Sequence, residues 1–100
     1  MEQTAETALN GYAAEVVNAW DRDGRRLMDL ARRMGVTPGY ITRRRRTQSG
    51  LGLRSAIGLS RTLGASVEEL ERRALAWHAA GRPPLGPEAL AGVSVNGGGK

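Results

Sequence analysis

Four consecutive arginines, Arg43–Arg46, close a short run that begins Thr37-Pro38-Gly39-Tyr40-Ile41-Thr42. An arginine side chain ends in a planar, permanently charged fork. The fork matches a phosphate or the edge of a guanine with two parallel hydrogen bonds. Seven further arginines lie nearby: residues 22–61 hold eleven arginines against Asp23 and Asp29, a local charge of +9. Residues 1–21 carry four acids and no base, and residues 62–100 balance four bases with four acids, so the whole chain stands at +5. Positive charge gathered in the middle of a chain is what a polyanion-binding surface requires. Two ordinary explanations compete. An arginine run can be a merely solvated face, and coding bias also favours Arg over Lys.

Other chemistry is thinly supplied. With no cysteine, disulfides and thiolate metal sites are excluded, and one histidine does not make a zinc site of the usual kind. No nucleophile–base pair, glycine-rich phosphate loop or metal constellation is present, so an enzyme is not expected and no cofactor is implied. No run of about 18 apolar residues exists, so no membrane association is expected. The start, MEQTAETALNGY, lacks a basic region followed by an apolar run, which makes the cytoplasm the expected compartment.

The elements that must hold these arginines are helical. Leu9, Tyr12, Ala13, Val16, Val17 and Trp20 form one helical face over residues 4–21, with Gly11 weakening its middle. Asp23-Gly24 is a turn, and Asp23 is a candidate N-cap for the next helix, about Arg25 to Met34. Leu27, Leu30, Ala31 and Met34 make that helix's buried stripe, with Arg25, Arg26, Arg32 and Arg33 outside. Gly35 ends it. Thr37 caps a third helix, Pro38 takes its first position, and it runs to about Arg46. A fourth helix, Leu53 to Leu63, points Leu53, Ala56, Ile57, Ser60 and Leu63 inward. Ser66 and Glu69 form a capping box for a fifth, which carries Val67, Leu70, Ala74 and Trp77. No internal repeat is read. The expectation is one all-α domain of five helices over residues 5–80, with its motif at about 25–46, and a flexible Pro/Gly-rich tail over 81–100.

The order of signals from Leu30 to Leu70 resembles the Xre/Cro-type (lambda-repressor-like) helix-turn-helix family. Ala31 matches that family's small residue facing the second motif helix, Gly35 its turn glycine, Val36 the aliphatic that follows, and Ile41 the hydrophobic mid-helix position. Leu63-Gly64 followed by Ser66-Val67-Glu68-Glu69-Leu70 matches its closing pattern. Two positions depart from it. Leu27 stands where the family usually carries glutamine, and Arg44 where it carries an aliphatic residue.

The resemblance implies that the segment 37–46 enters the major groove of double-stranded DNA. Its base-facing candidates are then Thr37, Pro38, Gly39, Thr42 and Arg43, with Arg43 the best placed to read guanine. Four consecutive side chains spread over about 300° of a helix, so Arg43–Arg46 cannot all face the bases. Arg25, Arg26, Arg32, Arg33, Arg45, Arg46 and Arg54 are phosphate-contact candidates. Tyr40 either joins the core or donates its hydroxyl to a phosphate. Arg44 fits the fold least well. Trp20 and Trp77 are read as core or dimer-contact aromatics, and Met28 and Met34 as packing residues. Leu75 and Trp77 are the candidate dimer contact. The function implied is a transcription regulator of the repressor type, acting as a homodimer. Two alternatives remain open: an antitoxin whose C-terminal tail binds a partner protein, and a protein-interaction module on the same fold.

Overall fold

A computed structural model describes residues 2–47 and 52–90, with side chains described for 5–44 and 56–90. Among these residues the chain is all-helical. It has five helices: α1 (Glu2–Arg22), α2 (Leu27–Met34), α3 (Pro38–Thr47), α4 (Gly52–Leu63) and α5 (Val67–Ala79), followed by a single 3-10 turn at Pro87–Leu90. No helix in the described residues is long and apolar enough to cross a membrane.

α1 is the central element. Its 21 residues contact α2, α4, α5 and the final 3-10 turn. Ala8, Leu9, Tyr12, Ala13, Val16, Val17 and Trp20 are all buried, as the apolar spacing of this helix requires. The other helices add their stripes to the same core: Leu30, Ala31 and Met34 from α2, Ile41 from α3, Ala56 and Leu59 from α4, and Leu70, Ala74 and Trp77 from α5.

Several expectations change. α4 is rotated relative to its predicted phase. Ile57 is 47% exposed, while Leu59 is fully buried. The cause is a close helix crossing at Gly58. A Cβ there would stand 2.3 Å from the Met34 carbonyl oxygen, so the Gly58–Leu59 side faces α2 and Ile57 turns to solvent. Leu53 lies outside the described side chains. Met28, expected to pack, is 55% exposed, because it falls one residue off the Leu27–Leu30–Ala31–Met34 stripe. Ser66 does cap α5, accepting from the Glu69 N–H at 3.0 Å. Glu69 does not complete a box, however. Its two carboxylate oxygens go to Arg72 and Arg73.

The largest difference lies at residues 82–90, predicted as part of a flexible tail. This segment is a strap laid along α1. The Trp77 indole N–H donates to the Pro83 carbonyl at 2.8 Å. Arg22 donates to the Leu85 carbonyl at 2.8 Å, and the Leu85 N–H donates to a Glu15 carboxylate oxygen at 3.0 Å. Leu90 is 1% exposed, which stabilises docking by about 2 kcal/mol. Pro83, Pro84 and Pro87 restrict the undocked chain, so less entropy is lost when it docks. Gly11, unfavourable inside a helix, also finds its reason here. The Arg82 guanidinium lies against it, and a Cβ would sit 2.8 Å from Arg82 Nη1. Residues 91–100 of the predicted tail lie outside the described residues.

Glu15 joins strap to helix. Burial alone pushes its pKa up, but hydrogen bonds from Arg22, the Leu85 N–H and Asn18, with the Arg22 charge, outweigh burial and hold it below 4.5. A depressed carboxylate pKa contributes stability that is present above the unfolded value and lost as pH falls through the folded one. Glu15→Gln should therefore lower stability at neutral pH by about 1–3 kcal/mol. The gap from wild type should close as pH drops below 4.5, read from melts across a pH series. A gap independent of pH would exclude this role. Gly58→Ala should cost about 1–3 kcal/mol through overpacking. Gly39→Ala, with nothing within 4 Å of an added Cβ, should be neutral or stabilise by less than about 1 kcal/mol. Thermal denaturation of the two variants distinguishes close packing at Gly58 from a general intolerance of alanine.

Candidate nucleic-acid interface

α2 ends and α3 begins within three residues. Gly35 adopts a left-handed conformation with φ 77°, which a side-chain-bearing residue reaches only with strain. Its own N–H donates to the Arg32 carbonyl at 3.2 Å, and the Val36 N–H donates to that of Ala31 at 3.0 Å. Together these close the last turn of α2. Thr37 Oγ1 then accepts from the Tyr40 N–H at 3.1 Å, the predicted N-cap, and Pro38 opens α3.

The outward side of α3 follows from this geometry. Ile41 is fully buried, so the residues opposite it face away from the domain. Thr37, Gly39, Thr42 and Arg43 are exposed and Pro38 is half-buried. Gly39 and Arg43 lie four apart and form one row on that face. Gly39, Thr42 and Arg43 thus share the face opposite Ile41, while Thr37 and Pro38 stand at the helix start, nearer the Ile41 side. Tyr40 packs against the core cluster, the first of its two predicted roles. Arg44 is half-buried, one turn from Ile41. Arg45 and Arg46 lie in α3, and Arg54 in α4, but their side chains fall outside the described residues.

The arginines around α2 divide. Arg26 and Arg32 are exposed and Arg33 is half-buried. Arg25, predicted to stay outside, is turned inward, with a side chain only 10% exposed. Its guanidinium lies 4.8 Å from the centre of the Trp20 ring, and its Nε donates to Asp23 Oδ2 at 2.8 Å. Ring stacking and a carboxylate partner hold it there, which removes it from the phosphate-contact set. Asp23 is consequently not the cap of α2. The N-cap is Arg26, which makes no side-chain capping bond. Trp20, Asp23, Gly24, Arg25, Arg26, Asp29 and Arg33 line a depression of about 230 Å³, so acids temper the positive charge at this edge.

Arg61 was missed by sequence reasoning. It is exposed on the last turn of α4, with Nη1 3.7 Å from where a Gly35 Cβ would stand. That position puts a cation at the C-terminal end of α2, where the helix dipole favours it. Only the regional charge count hinted at it. Of the predicted dimer contacts, Leu75 is 38% exposed but Trp77 is buried. Trp77 meets Tyr12 edge-on at 5.6 Å and bonds the strap, so it belongs to the interior of a single chain. His78 Nδ1 accepts from Arg82 Nε at 2.9 Å. Among the described residues no three His, Asp or Glu side chains gather as metal ligands do.

In comparisons with known proteins, no family model, curated sequence or solved structure matches the chain.

Thr37→Ala should destabilise the fold by about 1 kcal/mol through loss of the α3 cap. Thr37→Ser should restore most of it, as read by urea denaturation. Equal stability of all three proteins would mean that Thr37 is free for another role.

Proposed function

We propose that the protein is a sequence-specific regulator of transcription, a repressor of the helix-turn-helix type. It binds double-stranded DNA with α3 in the major groove and acts in the cytoplasm. The observation that carries this reading is the shared outward face of α3. It presents Gly39, Thr42 and Arg43 to solvent and keeps Ile41 against the core. Arg43 is the residue for direct readout, since its fork fits guanine O6 and N7. Arg26, the N-cap residue of α2, and Arg32 and Arg33 on it serve phosphates, which position the protein without reading sequence. The resemblance to the Xre/Cro-type family, carried by Ala31, Gly35, Val36 and Ile41, supports the same docking.

Such a protein binds paired half-sites as a homodimer spaced by about one helical turn. The outer side of α5 around Leu75 is the surface assigned to the partner copy. The docked strap gives no support to the antitoxin reading over residues 82–90, which are occupied within the chain. An interaction module without a DNA role differs in its response to salt.

DNA selected from a random pool should bind with an affinity that falls linearly with salt on log–log axes, with a slope of about −0.9 per phosphate neutralised. Arg43→Ala should cost about 1–3 kcal/mol and relax one base position, while Arg26→Ala should weaken all sequences alike. A flat salt response would sink the DNA reading. Identical behaviour of the two variants on every sequence would remove base readout from Arg43.

A further inference from the structure

One short pattern occurs twice in the chain: Ala19-Trp20, three residues, Gly24-Arg25; and Ala76-Trp77, three residues, Gly81-Arg82. Both copies fold the same way. Each glycine is left-handed, at φ 78° and 91°. Each arginine N–H donates to the carbonyl of the tryptophan five residues before it, at 3.2 Å for Trp20 and 3.0 Å for Trp77. Each indole N–H donates at 2.8 Å to the carbonyl six residues ahead, Arg26 and Pro83 respectively. Each arginine then lays its guanidinium over its own tryptophan, 4.8 Å and 5.2 Å from the ring centre. The pattern is a helix terminator that folds the outgoing chain over an indole and pins it by one strong hydrogen bond.

The two copies differ in what they pin. The second holds Pro83, the start of the strap. The first holds the carbonyl of Arg26, which is the N-cap residue of α2 and also accepts from the Asp29 and Leu30 N–H groups at 3.1 and 3.4 Å. No side chain of the linker caps α2, so the indole of Trp20, itself 2% exposed in the core, registers the first turn of this helix against α1. α3 packs mainly on α2, so whatever orients α2 orients the outward face of α3. We infer that Trp20, with Arg25 stacked on it, is the positioning residue of the DNA-reading unit, and that Trp77 is its structural twin with no part in DNA recognition. This inference rests on the function proposed above.

The twin supplies the control. Trp20→Phe and Trp77→Phe each keep a ring and lose one indole hydrogen bond of the same length. Trp20→Phe should weaken binding to selected DNA about five- to tenfold, as loss of one buried hydrogen bond allows. Trp77→Phe should change it less than about twofold at a similar drop in melting temperature. Hydrogen exchange of the Asp29 and Leu30 amides should quicken in Trp20→Phe alone. Should Trp20→Phe fail to fold, Arg25→Lys and Arg82→Lys make the same comparison at unchanged net charge. Equal losses of DNA affinity from both copies, or no loss from either, would overturn the inference. If the wild-type protein binds no DNA at all, the functional reading falls, and amide exchange still decides whether Trp20 registers α2.

Discussion

A helix that carries four consecutive arginines offers the core very little to hold. Among its described side chains α3 buries only Ile41 completely, with Tyr40 packed at the margin. One aliphatic side chain contributes about 1.5–3 kcal/mol on burial, far less than a helix of this length loses in conformational entropy. α3 therefore holds its direction only as firmly as α2 does. The rest of the molecule reads as the means of making α2 rigid. Gly58 lets α4 approach until its backbone meets the Met34 carbonyl, and the Trp20 indole holds the Arg26 carbonyl at the start of the helix.

That arrangement moves the demand for stability onto α1, the long helix around which the other elements pack. Its far side would be open without residues 82–90. The strap closes it with Leu90 and with a network in which Glu15 accepts from both Arg22 and the Leu85 N–H. Basic and acidic groups thus have separate duties. Arg43 of α3, with Arg26 and Arg32 at and on α2, is exposed, whereas Arg22, Arg25 and Arg82 are engaged within the chain by Glu15, Trp20 and Trp77. A charge count along the chain could not separate the two groups, because the separation depends on which carboxylate or aromatic ring each guanidinium meets.

Short-range signals were readable along the chain. The stripe Leu30–Ala31–Met34, the left-handed Gly35, the Thr37 cap and the Ser66 cap are all where spacing and residue type placed them. The reason is that helical periodicity and capping are settled within about four residues. That Gly39, Thr42 and Arg43 lie away from the core was legible for the same reason, once Ile41 was identified as the inward residue. The repeated Ala-Trp and Gly-Arg pairs were present in the sequence, but without the indole bonds they are only a coincidence of composition.

Tertiary packing decided the remainder. Nothing local distinguishes Ile57 from Leu59 as the buried residue of α4. The choice follows from how closely α4 approaches α2 at Gly58. Nothing local turns Arg25 inward, sends Trp77 into the core rather than to a partner copy, or docks a Pro- and Gly-rich segment on α1. Each of those outcomes needs a surface supplied from elsewhere in the chain: the Trp20 ring, the Tyr12 edge, the Glu15 carboxylate. The sequence by itself determined where most of the helices start and stop and which stripe of most of them is apolar, because those properties belong to neighbouring residues. Which arginines remain on the surface was decided only when the helices met, because a guanidinium is held by an aromatic face or a carboxylate that lies nearby only in three dimensions.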